Sequence, residues 1–228
     1  MKFVLFLLFF IPAASMADQD EDFLAAREAF AKGDSARLER MALRLKNSAL
    51  EPYLTYYQLR MHWDEKDSSP IQQFLSRTDD TPVIDQFRGE WLKYLGKRQR
   101  WSEFAAEYPR SVNSDAELKC YALQLKQLTD EESALRDARS KWFSGVGQPE
   151  SCATLFDAAI TKGVINEQDI WTRIRLALEA GNVSLAKQLS NKLPKKYAFP
   201  SAALDKAASD PERYLEKTSW IKIAMLSV

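Results

Sequence analysis

The sequence predicts an all-α fold: a superhelical stack of about a dozen helices joined as helix–turn–helix pairs, a degenerate helical-repeat solenoid. Three observations predict it. Helix breakers are scarce, with seven Gly and nine Pro in 228 residues, about 7% against roughly 12% in an average chain. Apolar residues recur at the helical period almost everywhere after Asp22, and no strand-like alternation bounded by hairpin turns occurs. The third observation is a unit that returns around Gly33, Gly96 and Gly181. Each copy has an apolar-periodic helix, a Gly among polar residues, and a second helix with Leu or aromatic residues and Ala at packing positions. Such short pairs cannot bury their own apolar faces and must stack on neighbours. The copies are irregularly spaced, hence a degenerate repeat.

The elements follow in order. Residues 1–17, MKFVLFLLFFIPAASMA, carry Lys2, an unbroken apolar run from Phe3 to Ile11, and small residues at Ala13, Ala14, Ser15 and Ala17. That is the pattern of a secretory signal, with cleavage expected after Ala17. The run is too short for the ~20 residues of a spanning helix, and Pro12 interrupts it. Cleavage leaves 211 residues with 31 basic and 32 acidic side chains, and no later stretch is apolar enough to anchor the chain in a bilayer. Export also bears on the only two cysteines, Cys120 and Cys152: an oxidising compartment favours pairing them, and two buried thiols are the alternative.

Helical stripes begin with Phe23, Ala26 and Phe30, then Leu38, Met41, Ala42 and Leu45. Between them, Gly33 suits a helix end, and Asp34 or Ser35 suits the next N-cap. Pro52, Pro70 and Pro82 each suit a first turn. They open helices carrying Tyr53, Leu54, Tyr57 and Met61; Ile71 to Leu75; and Ile84, Phe87, Trp91, Leu92 and Leu95. Asp115 starts a helix to about Leu128, and Asp130 one to about Phe143. Gly145 and Gly147 break the chain before Pro149 opens a helix with Cys152, Leu155, Phe156 and Ile160. Gly163 ends it, Asn166 caps Ile170 to Ala180, and Pro194 and Pro200 bracket a loop. The domain reading is a signal over 1–17, one incomplete helical-repeat domain over 18–209, and an atypical apolar tail over 210–228.

Composition excludes several function classes. Thirty-two basic and 32 acidic side chains give no net charge, so the electrostatic footprint of a nucleic-acid binder is missing. One His and two Cys are too few soft ligands for a tetrahedral zinc site. His62 lies between Met61 and Trp63 near a helix end and reads as packed on aromatics rather than as a general base. The acidic groups Asp20-Glu21-Asp22, Asp79-Asp80 and Glu131-Glu132 read as solvated or capping charges, since a glycosidase needs facing carboxylates with one in an apolar pocket. Trp91, Trp142 and Trp171 lie in apolar stripes and read as core. The basic run Lys97-Arg98-Gln99-Arg100 before Trp101 reads as an ordinary interhelical loop. No phosphate cradle, metal-ligand cluster or serine elbow is present in the sequence. The residues therefore nominate no catalytic, cofactor-binding or metal-binding group and call for no cofactor.

From Ala49 onward the sequence resembles the N-terminal, superhelical part of soluble lytic murein transglycosylases. The resemblance rests on ALEPYLTYYQL (49–59), FLSRTDDTPVIDQFRGEWLKYLGKRQRWSEFAAEYP (74–109), ELKCYALQL (117–125) and the segment 141–189. Within the last, W-x-x-G-x-x-Q-P-x-x-C-x-x-L-F begins at Trp142 and R-I-R-L-A-x-x-A-G-N at Arg173. It covers about residues 23–205. Cys152 falls within the first pattern, and Cys120 matches the position that family would bridge to it.

The resemblance implies a periplasmic family that cleaves peptidoglycan glycan strands and leaves an anhydromuramoyl end. It implies a U-shaped ring of paired helices followed by a lysozyme-like domain, whose single Glu in an E-S pair acts as acid and then base. This sequence contains no G-L-M-Q and no A-Y-N, and its E-S pairs, Glu132-Ser133 and Glu150-Ser151, fall inside the helical region. No catalytic residue is carried over. The final SWIKIAMLSV (219–228) matches nothing in the family, which suggests a truncated product, a frameshifted end or a fragment. The expected partner is peptidoglycan; the alternative is an independent helical-repeat adaptor for cell-envelope proteins.

Overall fold

Twelve α-helices and two 3-10 turns form the regular structure of the described residues, with no strand among them. A computed structural model describes residues 14–63, 67–78, 81–197 and 201–214. The helices are α1 (Ala14–Lys32), α2 (Ser35–Arg44), α3 (Glu51–Met61), α4 (Ser69–Leu75), α5 (Pro82–Lys97), α6 (Trp101–Glu107), α7 (Ala116–Gln127), α8 (Glu131–Trp142), α9 (Ala153–Thr161), α10 (Glu167–Glu179), α11 (Val183–Ser190) and α12 (Ser201–Ser209). The 3-10 turns are Tyr108–Arg110 and Glu150–Cys152. Packing runs mainly between sequence neighbours, α1 on α2, α7 on α8, α8 on α9 and α10 on α11, as expected for a stacked helical repeat.

Helix ends follow the local chemistry. Side chains of Asp34, Asp115, Asp130 and Asn182 accept from the backbone N–H three residues on, at 2.9–3.1 Å, satisfying donors a helix start leaves orphaned. Pro occupies the first turn of α3, α4 and α5, where its missing N–H costs nothing. Gly33, Gly163 and Gly181 take φ of +72° just past helix ends.

Gly96 differs from the sequence expectation. It lies inside α5, and the left-handed residue of that turn is Gln99, with φ +55°. Gly96 is needed instead for close approach: a Cβ there would overlap the ring of Tyr121 on α7. The first helix also starts earlier than predicted, so Asp20-Glu21-Asp22 lies within α1, where Asp22 accepts from Arg44 Nη1 at 3.0 Å. Tyr56, absent from the predicted stripe of α3, is buried.

The chain divides into two compact units, one up to Trp91 with 111–113, the other Leu92–Arg110 and from Ser114 onward. In the first, α1, α2 and α3 enclose Ala26, Ala29, Leu38, Met41, Leu45 and Leu54, and Phe30 stacks on Tyr57 with centroids 4.6 Å apart. In the second, the core runs through α7 to α11, centred on Trp142, Leu135, Leu155, Ile165 and Ile174. A fully buried side chain of this size contributes about 1.5–3 kcal/mol relative to exposure, so these clusters hold helices whose own propensity is marginal.

Some sequence readings fall elsewhere. Residues 1–13, Asp79-Asp80 and the tail segment 215–228 lie outside the described residues. Residues 14–17 form the first turn of α1, and 211–214 a helical turn. No helix among the described residues is long and apolar enough to cross a membrane.

Candidate functional site

The two most distinctive sequence patterns meet in the second unit. Trp142, at the end of α8, is 1% exposed, and Arg173, in the middle of α10, is 3% exposed. The guanidinium carbon lies 4.4 Å from the Trp142 ring centroid and 5.2 Å from that of Phe156 on α9, a cation packed against both aromatic rings. Trp142 and Phe156 meet edge to face at 5.1 Å. The loop joining them follows from its glycine and proline. A Cβ at Gly145 would overlap the Leu176 carbonyl oxygen, so only Gly lets the loop pass so close to α10. Pro149 leads into the turn Glu150–Cys152.

Three covalent or polar fixings hold this arrangement. Cys152 is joined to Cys120 of α7 across a Cα–Cα distance of 5.1 Å. Trp142 Nε1 donates to the Asp169 carbonyl at 3.0 Å. The Asp169 side chain accepts from Arg139 Nε at 2.9 Å and Nη2 at 2.7 Å, and it completes a capping box with Asn166. These Arg139 hydrogen bonds chiefly hold the Asp169 carboxyl below its ordinary value, opposed by burial and helped by the Asn166 N–H.

Trp142, Phe156 and Arg173 line a pocket of about 180 Å³ with Gln148 from the loop and Gln188 and Lys192 from α11 and its end. The whole pocket lies in the second unit. Sequence reasoning placed Trp142 correctly in the core but missed Arg173. The signal was present: Ile170, Arg173, Ile174 and Ala177 share one helical stripe and all are buried, yet an Arg in a stripe counts as exposed by hydropathy.

A glycosidase-type acid is marked by a carboxyl raised above its ordinary value in an apolar pocket. Every described carboxylate with a displaced pKa is displaced downward: Glu28, Glu51, Asp67, Asp115, Glu131, Asp137 and Asp169. The most suggestive is Glu51, part-buried on the wall of a groove of about 360 Å³. Arg77 binds it through both oxygens, at 3.1 and 2.7 Å, and Thr55 adds a third hydrogen bond at 2.7 Å. These hold its carboxyl low against the desolvation that would raise it, the reverse of what a proton donor needs.

Other predicted residues sit apart. Glu131 and Glu132 occupy the first turn of α8, paired with Lys162 and Arg136. Glu132 is the exposed half of one E-S pair; in the other, Glu150 is exposed and Ser151 donates to the Glu117 carbonyl at 3.1 Å. His62 is exposed at the end of α3. Trp91 is buried, whereas Trp171 packs half-buried at the margin of the core. In the basic loop, Arg100 forms a bidentate pair with Glu103, and Arg98 lies over the Tyr94 ring. No group of three or more metal-ligating side chains occurs among the described residues.

The chain is homologous to soluble lytic murein transglycosylases. It is 26% identical over 204 residues to those of Salmonella typhimurium and Escherichia coli, 89% of this chain but 32% of theirs. It therefore spans about a third of the length of the curated relatives it matches. No family model matches. Among solved structures, the 70-kDa soluble lytic transglycosylase of Escherichia coli aligns with a TM-score of 0.68 and 25% identity, over 86% of this chain and 32% of that one. The lytic transglycosylase Slt of Pseudomonas aeruginosa, an inactive variant, aligns with a TM-score of 0.66 and 29% identity, over 87% and 32%.

Proposed function

We propose that this chain is the helical, non-catalytic portion of an exported lytic transglycosylase that acts on peptidoglycan in the periplasm. One observation carries the reading: the homology to soluble lytic murein transglycosylases runs through 204 residues, nearly all of the helical stack. Residues 1–17 serve as the export signal in this reading, and 18–209 form the helical region. Bond cleavage belongs to the part of those relatives that this chain does not span.

The electrostatics support this division of labour. A glycan-cleaving acid must keep its proton near neutral pH, in an apolar pocket that raises its pKa. The part-buried Glu51 is instead ionised by its arginine partner. The homology favours this reading over a free-standing adaptor for envelope proteins.

Purified chain incubated with peptidoglycan sacculi tests it. The chain sediments with the sacculi and releases no anhydromuramoyl product. Any such product overturns the non-catalytic assignment. Failure to sediment with sacculi, together with capture of a defined envelope protein, transfers the assignment to an adaptor.

A further inference from the structure

The second unit buries a cation that has no ion-pair partner among the described residues. Of the two most buried arginines, Arg88 (8% exposed) donates to the Asp85 carboxylate at 2.6 Å. Arg173 (3% exposed) makes one hydrogen bond, from Nε to the Ser144 carbonyl at 3.3 Å, and no ion pair to any described carboxylate. Burial alone pushes its pKa down to about 10, so it is still protonated at neutral pH and its charge is incompletely compensated. A desolvated, unpaired charge is costly, and aromatic faces offset only part of that cost.

The surroundings specify what compensates it. Lys192 is already committed to Asp157, and Glu150 contributes a negative charge to the pocket wall. One uncompensated positive charge beside a carboxylate suits a monoanion better than a doubly charged phosphate. The side-chain amides of Gln148 and Gln188 line the same pocket and make no hydrogen bond within the described residues, so each offers both a donor and an acceptor. A guanidinium fork matches the two oxygens of a carboxylate, and the free amides match a peptide group next to it.

We propose that the pocket bounded by Trp142, Gln148, Phe156, Arg173 and Gln188 is a carboxylate-binding subsite, taking the terminal carboxylate of a peptide or N-acylated amino acid. The Arg173 fork receives the carboxylate, the two glutamines receive the neighbouring amide, and Phe156 with Leu185 and Leu189 meets the apolar side chain. The inference rests on the pocket alone and holds whether or not the chain belongs to a glycan-cleaving enzyme.

Titration of the full 228-residue chain with N-acetylalanine, followed by the Arg173 Nε–H resonance in ¹⁵N spectra, tests it. A saturable shift is expected with the acid and at least about tenfold weaker binding of N-acetylalaninamide, the loss typical of one charge-assisted hydrogen bond. Gln188→Glu at an exposed position supplies an internal carboxylate and is expected to weaken the acid by about tenfold without altering the fold. Arg173→Lys removes the fork and weakens it similarly. A stationary Arg173 resonance, equal binding of acid and amide, or tighter binding of inorganic phosphate overturns the proposal. A murein-derived disaccharide peptide separates the sources: tighter binding than N-acetylalanine identifies a peptide attached to glycan, and equal binding a free acylated amino acid.

Discussion

Asp169 shows how one side chain does several structural jobs at once. Its side chain closes the capping box of α10 by accepting from the Asn166 N–H and receives both arms of Arg139, and its carbonyl anchors the Trp142 indole. Asp169→Asn keeps the shape and removes the charge; it is expected to cost about 1–3 kcal/mol, the range for a charge-assisted hydrogen bond and a helix cap, measured by urea denaturation at pH 7. The pH dependence has a definite sign. The folded carboxyl sits below its unfolded value because Arg139 and the Asn166 N–H stabilise the charged form. Its contribution is complete above the unfolded pKa of roughly 3.9 and disappears as pH falls through the lower folded value. The gap in melting temperature between wild type and Asp169→Asn therefore closes from pH 5 towards pH 2; a gap that stays constant refutes the assignment. Salt narrows it as well, since Arg139 is partly exposed and screened.

At the scale of elements, the link between Cys120 and Cys152 joins α7 to the start of α9 across a sequence separation of 32. Closing a loop of that length removes unfolded-state entropy worth about 3–4 kcal/mol in the chain-entropy model. Protein recovered from an oxidising compartment should titrate no thiols after denaturation. Adding reductant should lower its denaturant midpoint by the corresponding amount, whereas two reactive thiols in untreated protein contradict the pairing. Helix starts were legible because Asp115, Asp130 and Asn166 act within three residues of themselves. Gly96 was misread because its reason lies 25 positions away, in the ring of Tyr121. Arg173 was overlooked for a similar reason: its neighbours Trp142 and Phe156 come from two other helices.

Over the whole molecule, the proposed export signal and the helical stack overlap in sequence. The expected cleavage after Ala17 removes the first turn of α1, since that helix begins at Ala14. The core contacts of α1 start beyond it, at Phe23 and Ala26, so the mature stack loses no described packing. Intact mass of protein recovered from the exporting cell should place the N-terminus at Asp18, and a chain that retains residues 1–17 there contradicts the signal assignment. The peptidoglycan reading also belongs to this scale, because it depends on homology along the stack and not on any one group.

By itself the sequence determined the helical class, the approximate ends of most helices, and the kinship carried by the runs from Trp142 and Arg173. These depend on periodicity, on caps and on residue order, all of which act locally along the chain. Only the tertiary structure decided that those runs close on one pocket, that Arg173 is buried there with no ion pair to a described carboxylate, and that Glu51 is held ionised by Arg77. Burial and charge pairing depend on which helices pack together, and the energy of a charge is set by neighbours that the chain order does not place beside it.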